Sequence, residues 1–350
     1  MITLVSMAVL LAFLGFVVLF TDVRAKDTRF FDKDVTNCLR GFWCIIILLV
    51  HVPTDYQNFI QDTLGSFAYV GVTFFFLTSG YGLALGVKKT PEQIRKSFWK
   101  RRLPKLLVPM ILVNIVRVLI KLYAYEEFLP LELFGITGFV RQLLLFYFLF
   151  WGIFRFFPKQ ISMDVRCNVL CCCVFAFSVL VYYWDENPVF GWPVESLGFA
   201  YGVLLARNKE KFVVFVQTKW FLKSFAACCL ALMLGVTYLL FKDVVLIGDY
   251  IVKIALAVAI LLFMLLLTAR LKIGNPISRF LGEISYEVYL IHDVVFIVLS
   301  VVYAKMNSGI FVILSILFTV ILSVLINKAS KAIVSWGSKR ISRVKLWQKN

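Results

Sequence analysis

The chain has 350 residues, of which 61% are apolar and only 16% are charged, whereas an ordinary soluble domain has about 45–50% and 25%. A water-soluble globule cannot bury so much apolar surface, so the composition excludes one and indicates a polytopic membrane protein. A net charge of +17 would suggest a nucleic-acid partner in a soluble protein. Here the basic residues lie in short segments between apolar runs, so nucleic acid is not expected as a partner.

Apolar runs long enough, or nearly so, to cross a bilayer recur along the whole chain. They fall at about residues 2–20, 37–52, 66–87, 104–120, 139–157, 168–184, 189–206, 221–241, 250–269, 282–303 and 309–327. Helices are favoured over strands because the backbone groups of a helix are hydrogen-bonded within the segment. The sequence therefore predicts an all-α bundle of about eleven transmembrane helices.

Lys and Arg alternate between rich and poor segments. Segments 21–36, 88–103 with Lys105, 158–167, 207–223, 270–281 and 328–350 hold 4, 8, 2, 5, 3 and 7, whereas the intervening segments hold 0, 1, 0, 1 and 1. Positive charge stays on the cytoplasmic side, so we expect a multi-pass plasma-membrane protein with its N-terminus outside and its C-terminus in the cytoplasm. Run 2–20 has no basic segment before it, which favours a retained span over a signal peptide.

The eight cysteines lie within or beside apolar runs. Their spacing does not match a secreted disulfide framework, and no histidine lies near them at the spacing of zinc ligands. We expect no metal.

Arg40 and His51 are the first ionisable pair inside an apolar run, where such groups are costly unless paired or solvated. Eleven residues separate them, which is about 20° beyond three helical turns and roughly 16 Å of rise. One helix face would thus carry an anion-binding group and a base. The alternative is an Arg that reaches the cytoplasmic interface and a His that caps the outer end.

Two further polar features follow. Ser79-Gly80 lies in an aromatic helix, where close helix packing is the alternative explanation to function. Arg101, Arg102 and Lys105 form a basic cluster that suits a phosphorylated donor from the cytosol. The positive-inside signal alone would also supply basic residues there.

Three weaker candidates are treated as substrate-binding residues. Glu195 could bind a sugar hydroxyl, or form a salt bridge with an intramembrane arginine such as Arg117 or Arg141. His292, followed by Asp293, is either a functional group or a polar contact between helices, and the third candidate, Tyr289, precedes it by one turn.

Four motifs occur in a fixed order over residues 34–293. They are Arg40 and His51 separated by ten residues, the segment GVTFFFLTSGY, the segment RRLPK followed by Pro109, and the segment LGEISYEVYLIH ending at His292. Together they resemble the acyltransferase 3 family of integral membrane acyltransferases. The resemblance implies a ten-span core, so we divide the chain into an extra N-terminal span and loop (1–33), an acyltransferase domain (34–335) and a basic tail (336–350).

The resemblance implies transfer of an acyl group, most often acetyl from cytoplasmic acetyl-CoA, to a hydroxyl of a cell-surface or exported polysaccharide or glycolipid. It assigns catalysis to Arg40, His51 and Ser79, and donor binding to Arg101 or Arg102 with Lys105, where the family more often has Arg. A carrier or flippase of glycolipid, without acyl chemistry, is the alternative from another class. The acyl group, the acceptor sugar and the oligomeric state stay open.

Overall fold

A computed structural model of the protein describes residues 22–23, 30–57, 61, 64–158, 160–184, 191–302 and 306–347. Its helices are α1 (Lys33–Val50), α2 (Ala68–Lys89), α3 (Pro91–Tyr125), α4 (Gly138–Phe156), α5 (Met163–Trp184), α6 (Pro193–Arg207), α7 (Lys209–Gln217), α8 (Trp220–Phe241), α9 (Lys253–Thr268), α10 (Pro276–Glu283), α11 (Ser285–Val302) and α12 (Ser308–Trp347). Short 3₁₀ turns cover Thr54–Tyr56 and Pro130–Phe134, and a π-helical turn, Ile247–Val252, leads into α9. Strands Asp22–Val23 and Leu271–Lys272 pair antiparallel.

Eight of the described helices are long and apolar enough to cross a membrane. They are α2, α3, α4, α5, α8, α9 with the π-helical turn, α11 and α12. Helices α1 and α6 coincide with two more predicted runs, but α1 carries Lys33, Asp34 and Arg40 and α6 has only 15 residues. The prediction of an all-α membrane bundle is confirmed for the described residues. Run 2–20 lies outside them, so the count of eleven spans stays a prediction.

Helix α3 starts earlier than the apolar pattern indicates. The basic segment 88–103, expected as a loop, is helical from Pro91 onward. Pro at the first helical position has no backbone N–H to satisfy and a pre-set φ, so it favours a helix start there. Arg102 and Lys105 are consequently fixed on a rigid helix that continues into the membrane.

Helices α2 and α6 approach each other until their backbones touch. A Cβ atom added at Gly80 would lie 2.2 Å from the carbonyl oxygen of Phe199, and one added at Gly202 would lie 2.0 Å from that of Leu77. Small residues permit this approach between membrane helices. The packing role proposed for Gly80 is therefore present, and it holds the face of α2 that carries Ser79 in place.

Helices α1 and α10 approach each other equally closely at glycine residues. A Cβ atom at Gly41 would lie 2.0 Å from the carbonyl oxygen of Ser278, and one at Gly282 would lie 1.8 Å from that of Asn37. The buried apolar side chains form two clusters, one mainly on α2, α4, α5, α6 and α9 and the other mainly on α1, α3, α11 and α12. A large cavity is lined by residues associated with both clusters.

Candidate functional site

The cavity has a volume of about 1340 Å³ and receives side chains from α1, α2, α3, α4, α11 and α12. Its basic end is defined by Lys33, Lys89, Arg102, Lys105, Lys209 and Lys331. Its histidine end is defined by His51, Arg117, Trp192, Tyr289, His292 and Asp293. Lys33 begins α1 and His51 follows its last residue, so the length of this helix, about 27 Å at 1.5 Å per residue, separates the two ends.

His51 has the geometry of a proton acceptor. Its Nδ1 lies 2.6 Å from the carbonyl oxygen of Ile47, one turn earlier in the chain. A carbonyl oxygen only accepts hydrogen bonds, so this contact requires a hydrogen on Nδ1 and leaves Nε2 of the neutral ring as the acceptor. The ring is exposed and lines the cavity. A hydroxyl that enters the cavity can therefore present its proton to Nε2.

His292 is an aromatic neighbour of His51 in the cavity. The two ring centroids are 5.1 Å apart with an interplanar angle of 67°. His292 is buried, and its ring also lies 6.0 Å from that of Tyr289. Of the two substrate-binding candidates on α11, His292 thus contacts His51, and Tyr289 lies next to His292.

Asp293 forms an ion pair between helices. Its Oδ2 accepts a hydrogen bond of 2.8 Å from Arg117 of α3. A second guanidinium nitrogen of Arg117 donates to Oδ1 of Asn114 at 3.1 Å, and Asn114 in turn donates to the carbonyl oxygen of Gly135 at 2.8 Å. A polar contact between helices, the alternative to a functional role that the sequence left open here, is therefore present at Asp293. Arg117 is its partner.

Arg40 lies between the two ends. Its guanidinium carbon is 5.5 Å from the ring centroid of Phe75, and both residues line the cavity. The Nε atom of Arg40 is buried and has no hydrogen-bond partner among the described residues. A buried charged group with an unused donor is costly, and a bound acceptor such as a phosphate or carbonyl oxygen would satisfy it. Arg40 and His51, expected on one helix face, both line this cavity.

Ser79 also lines the cavity, from α2. Its hydroxyl donates to the carbonyl oxygen of Phe75 at 2.9 Å, within its own helix. This hydrogen bond lies within α2, and the expected role of Ser79 in catalysis stays a prediction.

The basic cluster on α3 divides between the cavity and its surroundings. Arg102 and Lys105 line the cavity, and the guanidinium carbon of Arg102 lies 5.8 Å from the ring centroid of Tyr147. Arg101 is exposed and is not among the lining residues, because neighbouring positions on a helix point about 100° apart. Of the two arginines that the sequence left open, Arg102 is the one that faces the cavity.

Glu195 lies elsewhere. It is 2% exposed, does not line the cavity, and its Oε1 lies 2.9 Å from Nζ of Lys253 on α9. The structure thus corrects the partner expected for its salt bridge: Arg117 is bonded to Asp293, and Arg141 donates to the carbonyl oxygen of Ile136. The geometry favours the ion pair over substrate binding for this carboxylate.

Removing one partner of this pair tests that assignment. Lys253→Met is expected to lower the free energy of unfolding by about 3–5 kcal/mol, because it leaves the buried carboxylate of Glu195 unpaired. The double variant Glu195→Gln/Lys253→Met should recover most of the loss. Thermal unfolding of the purified protein, followed by intrinsic fluorescence, measures both. A Lys253→Met protein of parental stability but with weakened acceptor use would instead restore the substrate-binding role.

Four further lining residues were not predicted from the sequence: Tyr147, Glu287, Asn327 and Lys331. Glu287 is buried, and its Oε1 accepts a hydrogen bond of 2.8 Å from Asn327 of α12. Lys331 lies one turn beyond Asn327, and the ring of Tyr147 lies beside Arg102. Glu287 and Asn327 could have been found, because each is a polar residue inside an otherwise apolar run.

These features define a polytopic membrane protein whose helices enclose a cavity with basic residues at one end and a histidine pair at the other. The model of the acyltransferase 3 family, described as an acyltransferase domain, matches residues 36–328. This range is most of the chain and contains Arg40, His51, His292 and Asn327. The protein belongs to this family and is a membrane acyltransferase. No curated protein and no solved structure matches the chain significantly.

Proposed function

We propose that the protein transfers an acyl group, acetyl in the first instance, from cytoplasmic acyl-CoA to a hydroxyl of a polysaccharide or glycolipid at the cell surface. The observation that carries this proposal is the single cavity that joins the basic end to the histidine end. A donor with several phosphates needs cations, and an attacking hydroxyl needs a base. Both line the same cavity.

The donor would enter at the basic end, which the distribution of Lys and Arg assigns to the cytoplasm. Arg102 and Lys105 would bind its phosphates through charge-assisted hydrogen bonds. The acyl arm would then run along the cavity past Arg40. The buried Nε–H of Arg40 has no hydrogen-bond acceptor among the described residues, and an oxygen of the donor would provide one. The length of α1 between the two ends is suited to an extended donor rather than to acetate or a free acid.

The chemistry would occur at His51. Nε2 of His51 would take the proton of the acceptor hydroxyl as its oxygen attacks the thioester carbonyl. The guanidinium of Arg40, about 16 Å of helix rise from His51, would bind an oxygen of the donor's arm and so orient the thioester toward His51. As the C–S bond breaks, the proton on His51 would pass to the departing sulfur. The products are an ester of the acceptor and free CoA thiol, and His51 is again neutral.

Sealed membrane vesicles of opposite orientation test the function and the donor side together. Vesicles with the basic end outward should convert added acetyl-CoA to CoA thiol and add one acetyl mass to a glycan acceptor, detected by mass spectrometry. Vesicles of the opposite orientation should do so only after permeabilisation. A protein that moves glycolipid between leaflets without any change in its mass would be a carrier, and the transferase proposal would be wrong.

A further inference from the structure

Trp192, directly before α6, has an unusual backbone conformation. Its φ and ψ angles are 53° and 58°, and it follows Gly191, whose φ is 45°. The left-handed region is unfavourable for a bulky residue and persists only where the surroundings enforce it. Here the carbonyl oxygen of Trp192 accepts hydrogen bonds from the backbone of Ser196 at 3.2 Å and from the buried side chain of Gln142 at 3.4 Å.

The enforced conformation places the indole in the histidine end of the cavity. The indole lines the cavity and lies against Gly138 at the start of α4, where a Cβ atom would be 3.3 Å from it. Phe139, the next residue, has its ring 5.3 Å from that of Tyr289, which in turn lies 6.0 Å from His292. The rings of Phe139 and Tyr289 and the histidine pair therefore form a connected aromatic wall, and Trp192 lies at its end, against Gly138.

Asp293 adds a polar group to this wall. Its side chain is 46% exposed although its partner Arg117 is only 16% exposed. Arg117 is fixed from behind by Asn114, so it holds the carboxylate in one orientation while the open side of Asp293 faces the cavity. A carboxylate accepts up to about four hydrogen bonds and is a strong acceptor for hydroxyl groups.

We propose that Trp192 and the Asp293–Arg117 pair form the acceptor subsite, and that this subsite binds a pyranose ring. The proposal rests on the transferase function above and assigns its acceptor side. A pyranose has an apolar face of C–H bonds, which packs on an aromatic ring, and a rim of hydroxyls, which need charged or polar partners. The ring would lie on the indole of Trp192 with one hydroxyl bonded to Asp293 and a neighbouring hydroxyl directed at Nε2 of His51.

An aliphatic alcohol used as a test acceptor distinguishes a pyranose subsite from a nonspecific apolar site. Cyclohexanol has a hydroxyl for His51 and an apolar ring for Trp192, but no second hydroxyl for Asp293. Pyranoside acceptors should therefore be preferred over alcohols of similar size, and the preference should depend on Asp293.

Binding and transfer are measured on the purified full-length protein in lipid nanodiscs. The probes are the methyl glycosides of glucose, galactose, mannose and N-acetylglucosamine, with cyclohexanol as the aliphatic control. Saturation-transfer NMR gives binding without any acyl donor, and transfer of labelled acetyl from acetyl-CoA gives the acceptor KM. The variants are Trp192→Ala, Trp192→Phe and Asp293→Asn. Trp184→Ala, a change at an exposed tryptophan outside the cavity, is the matched control.

We expect saturable binding of at least one glycoside. The acceptor KM should rise at least tenfold in Trp192→Ala and about tenfold to a hundredfold in Asp293→Asn. Trp192→Phe should change it little. The KM for the donor should be unchanged in all of these variants. The Trp184→Ala protein should have the parental KM for the acceptor as well. Equal use of cyclohexanol and glycosides, or a Trp192→Ala protein with parental glycoside binding, would overturn the subsite while leaving the transferase function intact. Glycoside binding that depends on Trp192, in a protein that never consumes acetyl-CoA, would instead support the subsite and contradict the transferase function.

Discussion

Replacing His51 with Ala is expected to lower the rate of acyl transfer by about 10²- to 10⁴-fold, the contribution typical of a general base. The hydrogen bond from Nδ1 to the carbonyl oxygen of Ile47 directs Nε2 into the cavity as an acceptor. Neither Ala nor Gln can replace this acceptor with a group of similar basicity. The loss should therefore appear in kcat, measured as acetyl transferred from acetyl-CoA by purified protein at saturating donor and acceptor.

The control is a variant of the neighbouring ring. His292→Gln removes the aromatic contact at 5.1 Å but leaves Nε2 of His51 in place, so we expect it to raise the acceptor KM more than it lowers kcat. Acetyl-CoA binding and elution as a single species should be parental in both variants. A His51→Ala protein that transfers acetyl at nearly the parental rate would remove the base from the mechanism and favour the carrier function.

The helices were the most predictable part of the molecule because their signal is local. An apolar run of about twenty residues defines a membrane helix without reference to the rest of the chain. The same local periodicity placed Arg40 and His51 on one face of α1, and both line the cavity. Helix boundaries were less predictable. The basic segment before Pro104 has no apolar run, yet it belongs to α3, which starts at Pro91 because proline favours the first position of a helix.

Contacts between distant segments could not be obtained from periodicity. Glu195 was expected to bind a sugar hydroxyl or to form a salt bridge with an arginine, but its partner is Lys253, 58 positions further along the chain. The left-handed conformation of Trp192 was equally hidden, because sequence preference gives a bulky aromatic residue no reason to adopt it. It results from hydrogen bonds to its carbonyl oxygen from α4 and α6. Both features depend on tertiary packing that a single sequence does not encode in its local pattern.

Charge neutralisation at the basic end is expected to weaken donor use by a comparable amount. The double variant Arg102→Gln/Lys105→Gln should raise the KM for acetyl-CoA about 10²-fold. A hydrogen bond from a charged group contributes about 1.5–3 kcal/mol, and the lower value applies here because Lys105 is exposed and partly screened. Two such bonds give about 3 kcal/mol, and every 1.4 kcal/mol is a factor of ten.

A variant of equal charge separates phosphate binding from the topology signal. Lys100→Gln/Lys211→Gln also removes two positive charges, but both side chains are exposed and neither lines the cavity. Its donor KM should remain near the parental value, whereas raising the salt concentration should weaken donor binding in the parent more steeply than in Arg102→Gln/Lys105→Gln. Equal donor KM values for the two double variants would show that these cations act only in membrane orientation, and the donor would then have to be held deeper, at Arg40.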